Sequence, residues 1–154
     1  LRGDLRVGFL TNYNMWLGHK LTAGVDIWLN NPVRPLEACG TSGMKAVLNG
    51  VPNLSILDGW WAEGYDDGEN GCAIGQDWEV RDDERDANAL YDALEKRVLP
   101  LYYGDPKGFL RMQKAAVATA PAFSAQRMVQ EYARRYYLQA EATPAPARMA
   151  AVAT

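Results

Sequence analysis

The sequence has few of the residues that build disulfide frameworks or metal sites. Its 154 residues include two cysteines, Cys39 and Cys72, and one histidine, His19. Neither cysteine has the nearby second cysteine of a metal-ligand pair, so we expect two reduced thiols and no metal site. We interpret His19 as a structural residue of a predicted helix and assign it no role.

Long apolar runs and an excess of basic charge are also missing. No run approaches the roughly 20 residues of a membrane span, and the first residues lack the basic and apolar blocks of a signal peptide. A formal charge of −3 provides no basic field for a nucleic-acid backbone. We therefore expect a cytoplasmic protein without a nucleic-acid or membrane partner.

The composition is that of a soluble globular domain, with 48% hydrophobic and 23% charged residues. Because the chain starts at Leu1 rather than at a methionine and enters an apolar segment almost at once, we expect a piece of a longer protein. Residues 140–154 are almost all Ala, Pro, Thr and Val, and we expect a disordered tail there. The predicted folded part is 1–139.

Alternating apolar patterns predict an α/β fold with β-α-β units. Strands are predicted at 5–10, 25–29 and 51–57, and helices at 15–23 and 41–49. The segment 58–75 is rich in glycine and acidic residues, so it predicts a long loop with a short strand at 72–74. Three helices are predicted after it, at 86–103, 107–119 and 124–139.

The segment 37–45, EACGTSGMK, has the features of an anion site. Thr41 and Ser42 lie between glycines at the start of a predicted helix, where backbone N–H groups and the helix dipole attract negative charge. Lys45 follows one turn later. The spacing does not fit the loop of nucleoside triphosphatases, and no Ser or Thr follows Lys45. On this pattern alone, an ordinary capped helix start is equally open.

The longer run 37–61, EACGTSGMKAVLNGVPNLSILDGWW, closely resembles the pyridoxal-phosphate signature of the α-glucan phosphorylases, the glycogen and maltodextrin phosphorylase family. It is most like the shorter bacterial and archaeal branch. The resemblance extends to segments on both sides, at 12–13, 25–32, 63–65, 68–71, 100–103 and 127–129. It implies a partial Rossmann-like domain, the later half of the C-terminal domain of a two-domain glycosyltransferase fold, followed by C-terminal helices.

The resemblance also implies a cofactor site. Lys45 matches the lysine that binds pyridoxal 5'-phosphate covalently, and Thr41, Ser42 and Gly43 match the residues that hold the cofactor phosphate. Tyr13 matches a tyrosine beside the cofactor ring.

A sugar site is implied as well. Glu37, Cys39 and Gly40 match positions that bind hydroxyl groups of the transferred glucose. The family has a serine where this sequence has Cys39, and a thiol is a poor hydrogen-bonding group. We therefore expect the backbone N–H of Cys39 to make its sugar contact.

The implied activity is that of a retaining glycosyltransferase of glycogen metabolism. It transfers glucosyl units from an α-1,4-glucan to inorganic phosphate and yields glucose 1-phosphate. The phosphate of the cofactor, with a second pKa of about 6, exchanges protons with the substrate phosphate. The expected partners are the glucan, phosphate and the missing N-terminal part of the same enzyme. We expect the chain alone to be inactive, and the sequence leaves a homo-oligomer open.

Other interpretations stay open. The chain can be a non-catalytic module that binds sugar or another protein, or a relative of the nucleotide-sugar-dependent glycogen and starch synthases, in which an acidic residue lies near the position of Lys45. The loop with Asp58, Trp60 and Trp61 also admits a glycoside hydrolase or a sugar-binding platform. The simplest interpretation of the two tryptophans is that they pack the domain.

Overall fold

The computed structural model describes residues 6–76 and 80–138. The chain divides into two compact units, Leu1–Ala120 and Pro121–Thr154. The sequence analysis predicted one folded part at 1–139, and that division stays a prediction. The predicted tail at 140–154 lies outside the described residues.

The first unit contains a parallel three-stranded sheet, which confirms the α/β class. Strands β1 (Trp28–Asn30), β2 (Asn53–Ile56) and β3 (Gly71–Ile74) lie in the order β1-β2-β3. In the register, Leu29 faces Leu54, which in turn faces Cys72. Parallel neighbours need crossover connections, and helix α2 (Thr41–Leu48) makes the crossover from β1 to β2.

Helix α1 (Met15–Gly24) precedes the sheet and packs beside α2. The short helix α3 (Trp60–Gly64) lies between β2 and β3. The helices after β3 are α4 (Asp83–Ala93), a π-helical turn (Leu94–Val98), α5 (Leu99–Gly104) and α6 (Pro106–Thr119), followed by a 3-10 turn (Ala120–Phe123). In the second unit, α7 (Ala125–Tyr132) continues into a π-helical turn (Ala133–Tyr137).

Several helices begin at a capping side chain. Asp82 accepts a hydrogen bond from the N–H of Arg85 at 3.0 Å and starts α4. Asp105 does the same for Gly108 at 2.9 Å, and Pro106 fills the first position of α6. Each cap satisfies one N–H that the helix itself leaves without a partner.

The core lies between the sheet and the helices that follow it. Both β2 and β3 are buried along their whole length. Their apolar side chains form one cluster with residues of α4, its π-helical continuation and α6, namely Leu54, Ile56, Cys72, Ile74, Ala93, Val98 and Met112. The burial of these side chains fixes the position of the sheet, which α2 contacts through β1 and β2. None of the helices in the described ranges is long and apolar enough to cross a lipid bilayer.

The predicted strand at 5–10 is wrong for the residues that the structure describes. Residues 6–10 form no strand, and Val7 and Phe9 are 81% and 90% exposed. An apolar segment becomes a strand only when a neighbour pairs with its backbone and another layer covers its side chains. Within the described part of the chain, no strand pairs with 6–10.

Two further elements differ from the sequence pattern. The strand predicted at 25–29 is observed later, at Trp28–Asn30, because Val25 is the extended C-cap of α1. The segment 58–75 was predicted to hold nothing longer than a short strand, yet α3 forms inside it. Burial of Trp60 and Trp61 stabilises this short helix where local propensity does not predict it.

Candidate active site

An open cleft of about 630 Å³ lies between helices α1 and α2. On α1 the lining positions recur at intervals of three and four residues, as expected for one face of a helix. The same spacing recurs on α2. The cleft is lined by Tyr13, Asn14, Met15, Gly18, His19 and Thr22 from the first segment and by Ser42, Lys45, Leu48 and Asn49 from the second.

The start of α1 positions Tyr13. The Asn14 side chain caps the helix by accepting a hydrogen bond from the N–H of Leu17 at 2.9 Å. The Tyr13 phenol lies so close to Gly18 that a Cβ at that position would collide with its hydroxyl. Gly18 therefore lets the ring lie against the helix backbone, although 71% of Tyr13 stays exposed. The ring is thus available to a molecule in the cleft.

The start of α2 presents free backbone donors. Gly40 precedes the helix with φ 86° and ψ 51°, the left-handed conformation that glycine adopts without steric cost. No side chain of the described residues caps this end of α2. Because the first N–H groups of a helix lack partners inside it, those of Thr41 and Ser42 can bind an anion.

Lys45 lies one turn beyond these donors and lines the cleft. Its side chain is exposed, and its amine forms no ion pair with any residue in the described ranges. Asn49 supports the backbone of the same turn, since its Nδ2 donates to the Lys45 carbonyl at 2.8 Å. An amine without an acidic partner beside an anion-binding helix start can attract a phosphate or react with an aldehyde.

The opposite side of α2 packs on the sheet. A Cβ at Gly43 would collide with Oδ1 of Asn53 and come within 2.8 Å of Nε1 of Trp60. Nδ2 of Asn53 also donates to the Gly43 carbonyl at 3.2 Å, and Asn53 is only 1% exposed. Gly43 is therefore required for close contact between helix and sheet, and it lies outside the lining of the cleft.

The predicted sugar-binding residues lie in the loop that leads into α2. Glu37 is half-buried and Cys39 is exposed. The Glu37 N–H donates to Oδ2 of Asp58 at 2.9 Å, and the Cys39 carbonyl accepts from the N–H of Trp60 at 2.7 Å. The loop is thus bound to the turn that follows β2.

The structure brings together some of the residues that the sequence predicts for the site. Tyr13, Ser42 and Lys45 line one cleft, while Thr41 lies at the same helix start outside the lining. Gly43 faces the sheet. Glu37, Cys39 and Gly40 precede the helix and do not line the cleft. Their individual roles stay predictions.

Sequence reasoning missed several residues of the cleft, among them His19, to which it assigned no role. His19 and Thr22 lie on the face of α1 that carries Gly18, and Asn49 lies four residues after Lys45 on α2. The helical period on each segment was the available signal, because residues three and four apart share a face.

The two tryptophans of the 58–75 segment pack the domain, as the simplest interpretation predicted. Trp60 is 5% exposed and Trp61 is 1% exposed. Their rings lie 5.0 Å apart, and two ring atoms of Trp61 lie 2.8 Å from where a Cβ on Gly71 would be. Rings buried in this way offer no face to a sugar, so the structure gives no support to a sugar-binding platform here.

Asp67, one of the acidic residues of this segment, binds another part of the chain. Asp67 accepts hydrogen bonds from the Tyr65 hydroxyl and from Arg97 at 2.6 Å. The hydrogen bond from Tyr65 and then that from Arg97 lower the pKa of Asp67. Burial, followed by the hydrogen bond to Asp67, raises the pKa of Tyr65. A carboxylate whose pKa is lowered does not match the general acid of a glycoside hydrolase, which requires a raised pKa.

Known proteins are similar to most of this chain. Glycogen phosphorylase of Aquifex aeolicus is 50% identical over 140 residues, which cover 86% of this chain and 20% of that protein. Maltodextrin phosphorylase of Thermococcus litoralis is 51% identical over 134 residues, or 84% of this chain and 16% of that protein. Glycogen phosphorylase of Mycobacterium tuberculosis is 49% identical over 145 residues, or 88% and 17%. The chain thus spans a fifth or less of these relatives. No family model matches it.

Proposed function

This chain belongs, as a short segment, to the glycogen and maltodextrin phosphorylase family, and from that premise we propose that it is the cofactor-binding and glucosyl-binding part of an α-1,4-glucan phosphorylase. The proposed reaction transfers a glucosyl unit from the glucan to inorganic phosphate, with retention, to give glucose 1-phosphate. The observation that carries the proposal is the cleft in which Tyr13, Ser42 and Lys45 meet.

The residues of the cleft fit pyridoxal 5'-phosphate. Lys45 offers an amine for the aldehyde, the N–H groups of Thr41 and Ser42 offer donors for the phosphate, and Tyr13 offers an aromatic ring for the pyridine. A cleft of about 630 Å³ falls within the usual range for small-molecule sites. When bound, the cofactor supplies a phosphate whose second pKa of about 6 allows proton exchange near neutral pH.

In this proposal the residues of the chain bind and orient. Lys45 holds the cofactor by a covalent bond, and the start of α2 orients an anion through its N–H groups and dipole. We assign Glu37 as an acceptor for a sugar hydroxyl and the N–H groups of Cys39 and Gly40 as donors to the sugar. In this proposed reaction no protein carboxylate needs to act as a nucleophile.

The rest of the enzyme is the main partner that the proposal requires. The relatives are about five or six times longer than the part they share with this chain. A cleft open to solvent cannot exclude water or orient a second phosphate by itself. The chain alone should therefore release no glucose 1-phosphate from maltodextrin, even with cofactor and phosphate in excess. Both cysteines are free thiols, which fits the proposed cytoplasmic location.

The test is covalent labelling of the longer protein. It is incubated with pyridoxal phosphate, reduced with borohydride and digested for peptide mapping. The label is expected on Lys45 and absent from the Lys45→Ala variant. Lys20→Ala is the matched control, since Lys20 lies on α1 over the Trp16 ring and outside the cleft lining, and it should keep the label.

A label on Lys20, Lys96, Lys107 or Lys114 in place of Lys45 would contradict the assignment. No label on any lysine would favour a sugar-binding module or a relative of the nucleotide-sugar-dependent synthases. The measurement does not depend on catalysis, so it identifies the cofactor lysine even in a variant without activity.

A further inference from the structure

Asp58 uses both carboxylate oxygens to bind backbone N–H groups. Its Oδ2 accepts from the N–H of Glu37 at 2.9 Å, across 21 residues of sequence. Its Oδ1 accepts from the N–H of Gly59 at 2.9 Å. Bonds to an ionised acceptor are about twice as strong as those between neutral groups. Asp58 is thus a strong anchor for the loop that precedes α2.

The next residue brings the two segments into contact. Gly59 has φ 55° and ψ −136°, a conformation that side chains rarely permit. A Cβ on Gly59 would lie 2.5 Å from the Cys39 carbonyl oxygen and 3.0 Å from Cγ of Glu37. Any other residue at this position would push the loop away.

The third residue completes the contact. The N–H of Trp60 donates to the Cys39 carbonyl at 2.7 Å. Its buried ring lies 3.3 Å from where a Cβ on Gly40 would be, and close to Gly43. We call residues 58–60 the loop clamp. It contacts the chain from Glu37 to the first turn of α2.

We propose that Asp58 is a positioning residue of the glucosyl site, acting through the loop clamp on the backbone of 37–40. This rests on the proposed function, in which Glu37, Cys39 and Gly40 bind the sugar. A carboxylate that accepts two backbone N–H groups has its oxygens turned to the protein, so it orients the loop rather than transferring a proton. To recognise one sugar, the Glu37 carboxylate and the N–H groups of Cys39 and Gly40 must keep fixed positions relative to one another. A flexible loop does not keep these positions.

The first test uses the longer protein without substitution. Amide hydrogen exchange at Glu37 is followed by mass spectrometry of overlapping peptides. Although Glu37 lies in a loop, its N–H should exchange at least about tenfold more slowly than an N–H without an acceptor, because its acceptor is charged. Exchange as fast as in an unprotected loop would overturn the proposal, and no variant needs to fold for this result.

The second test compares Asp58→Asn with Asp66→Asn in the longer protein. Both remove one carboxylate from the same segment, but Asp66 is exposed, and no described N–H group donates to its side chain. An asparagine amide presents one acceptor where the carboxylate presents two. Asp58→Asn should lower kcat/KM by about ten- to a hundredfold and leave the borohydride label on Lys45 intact. Asp66→Asn should change neither.

The outcomes separate the two proposals. Loss of the Lys45 label together with activity in Asp58→Asn would show a general structural role and overturn the positioning role. Unchanged kcat/KM would overturn it as well. Gly59→Ala provides a second variant that removes no charge, and it should reproduce the loss of activity with the label intact. If the proposed function itself is wrong, Lys45 stays unlabelled in the unsubstituted protein. That result does not depend on the rate of amide hydrogen exchange at Glu37.

Discussion

The two faces of helix α2 differ in almost every property, although the helix has only eight residues. The face on the sheet carries Gly43, Ala46 and Val47, all buried. The face on the cleft carries Ser42 and Lys45, both exposed. A helix with a buried and an open stripe is common, but here the open stripe also carries an amine without an acidic partner.

This difference indicates how stability and function are distributed around the helix. Substitutions on the sheet side should change the free energy of unfolding, because they alter close-packed contacts. Substitutions on the open side should leave that free energy almost unchanged and alter binding or catalysis. The following predictions test the division.

The largest effect is expected for Trp61→Ala, a buried residue of α3 whose ring packs on Gly71 of β3. Removing a side chain that is 1% exposed should lower the free energy of unfolding by about 3 to 5 kcal/mol. Trp16→Ala is the matched control, because Trp16 is 67% exposed, and it should cost about 1 kcal/mol or less. Urea denaturation of both variants provides the measurement. Equal losses in the free energy of unfolding for the two variants would contradict the expected difference between buried and exposed positions.

Glu37→Gln should affect catalysis and not folding. The change keeps the shape of the side chain and removes its charge, which weakens a hydrogen bond to a sugar hydroxyl by about 1.5 to 3 kcal/mol. In the longer protein, kcat/KM should fall by about ten- to a hundredfold with an unchanged urea midpoint. Glu63→Gln makes the same change at an exposed position of α3 and should have no effect. Unchanged kinetics in Glu37→Gln would exclude Glu37 from the site.

Gly43→Ala tests the close contact between α2 and the sheet. The added methyl group would collide with Asn53 and Trp60, so we expect a loss of about 1 to 3 kcal/mol in the free energy of unfolding. Gly24→Ala is the control on α1, where no atom lies within 4 Å of the added group. Gly18→Ala makes the same change in the cleft.

At Gly18 the added methyl group meets the phenol of Tyr13, which is exposed and can rotate away. Gly18→Ala should therefore cost little stability and mainly weaken cofactor binding, as measured by titration with pyridoxal phosphate. A loss of stability as large as that of Gly43→Ala would show that the Tyr13 contact is part of the core.

The smallest effect is expected for Asp67→Asn. The Asp67 side chain is 77% exposed, so its ion pair with Arg97 should contribute only about 0.2 to 1 kcal/mol at neutral pH. Because the pKa of Asp67 is lowered in the folded state, this stability is present above the unfolded pKa of about 4. It is lost as the pH falls through the folded pKa.

Urea midpoints at pH 7 and at about pH 2 provide the measurement for Asp67. The difference between the unsubstituted chain and Asp67→Asn should be seen at pH 7 and become smaller in acid. A difference that grows in acid would contradict the lowered pKa. Asp66→Asn should show no difference at either pH.

Local patterns in the sequence predicted much of this fold. The bounds of α2 followed from the glycines at Gly40 and Gly50, and the observed helix ends two residues before Gly50. Strand β2 lies inside the predicted range 51–57, and β3 begins one residue before the predicted range 72–74. The segment 6–10 shows the limit of such predictions. An apolar pattern indicates which side chains a segment can bury, but it does not indicate whether another part of the chain is present to cover them.

The candidate site was only partly predictable. The helix start and Lys45 were visible because glycines, hydroxyl residues and a lysine at helical spacing are local features. The phosphate-binding role of Gly43 stays a prediction, whereas its close contact with Asn53 of β2 and Trp60 of α3 was not predicted. That contact depends on the crossing of helix and strand, which no local pattern describes.

The sequence by itself determined the α/β class, the position of α2 and the similarity to the phosphorylases. These properties depend on backbone sterics and side-chain period within a few residues. Only the tertiary structure decided that Tyr13 and Lys45 share a cleft and that Asp58 binds the N–H of Glu37. Contacts between distant segments form only when the free energy gained by burying the whole core outweighs the conformational entropy lost in ordering these segments. This balance depends on the whole chain, so no single segment predicts it.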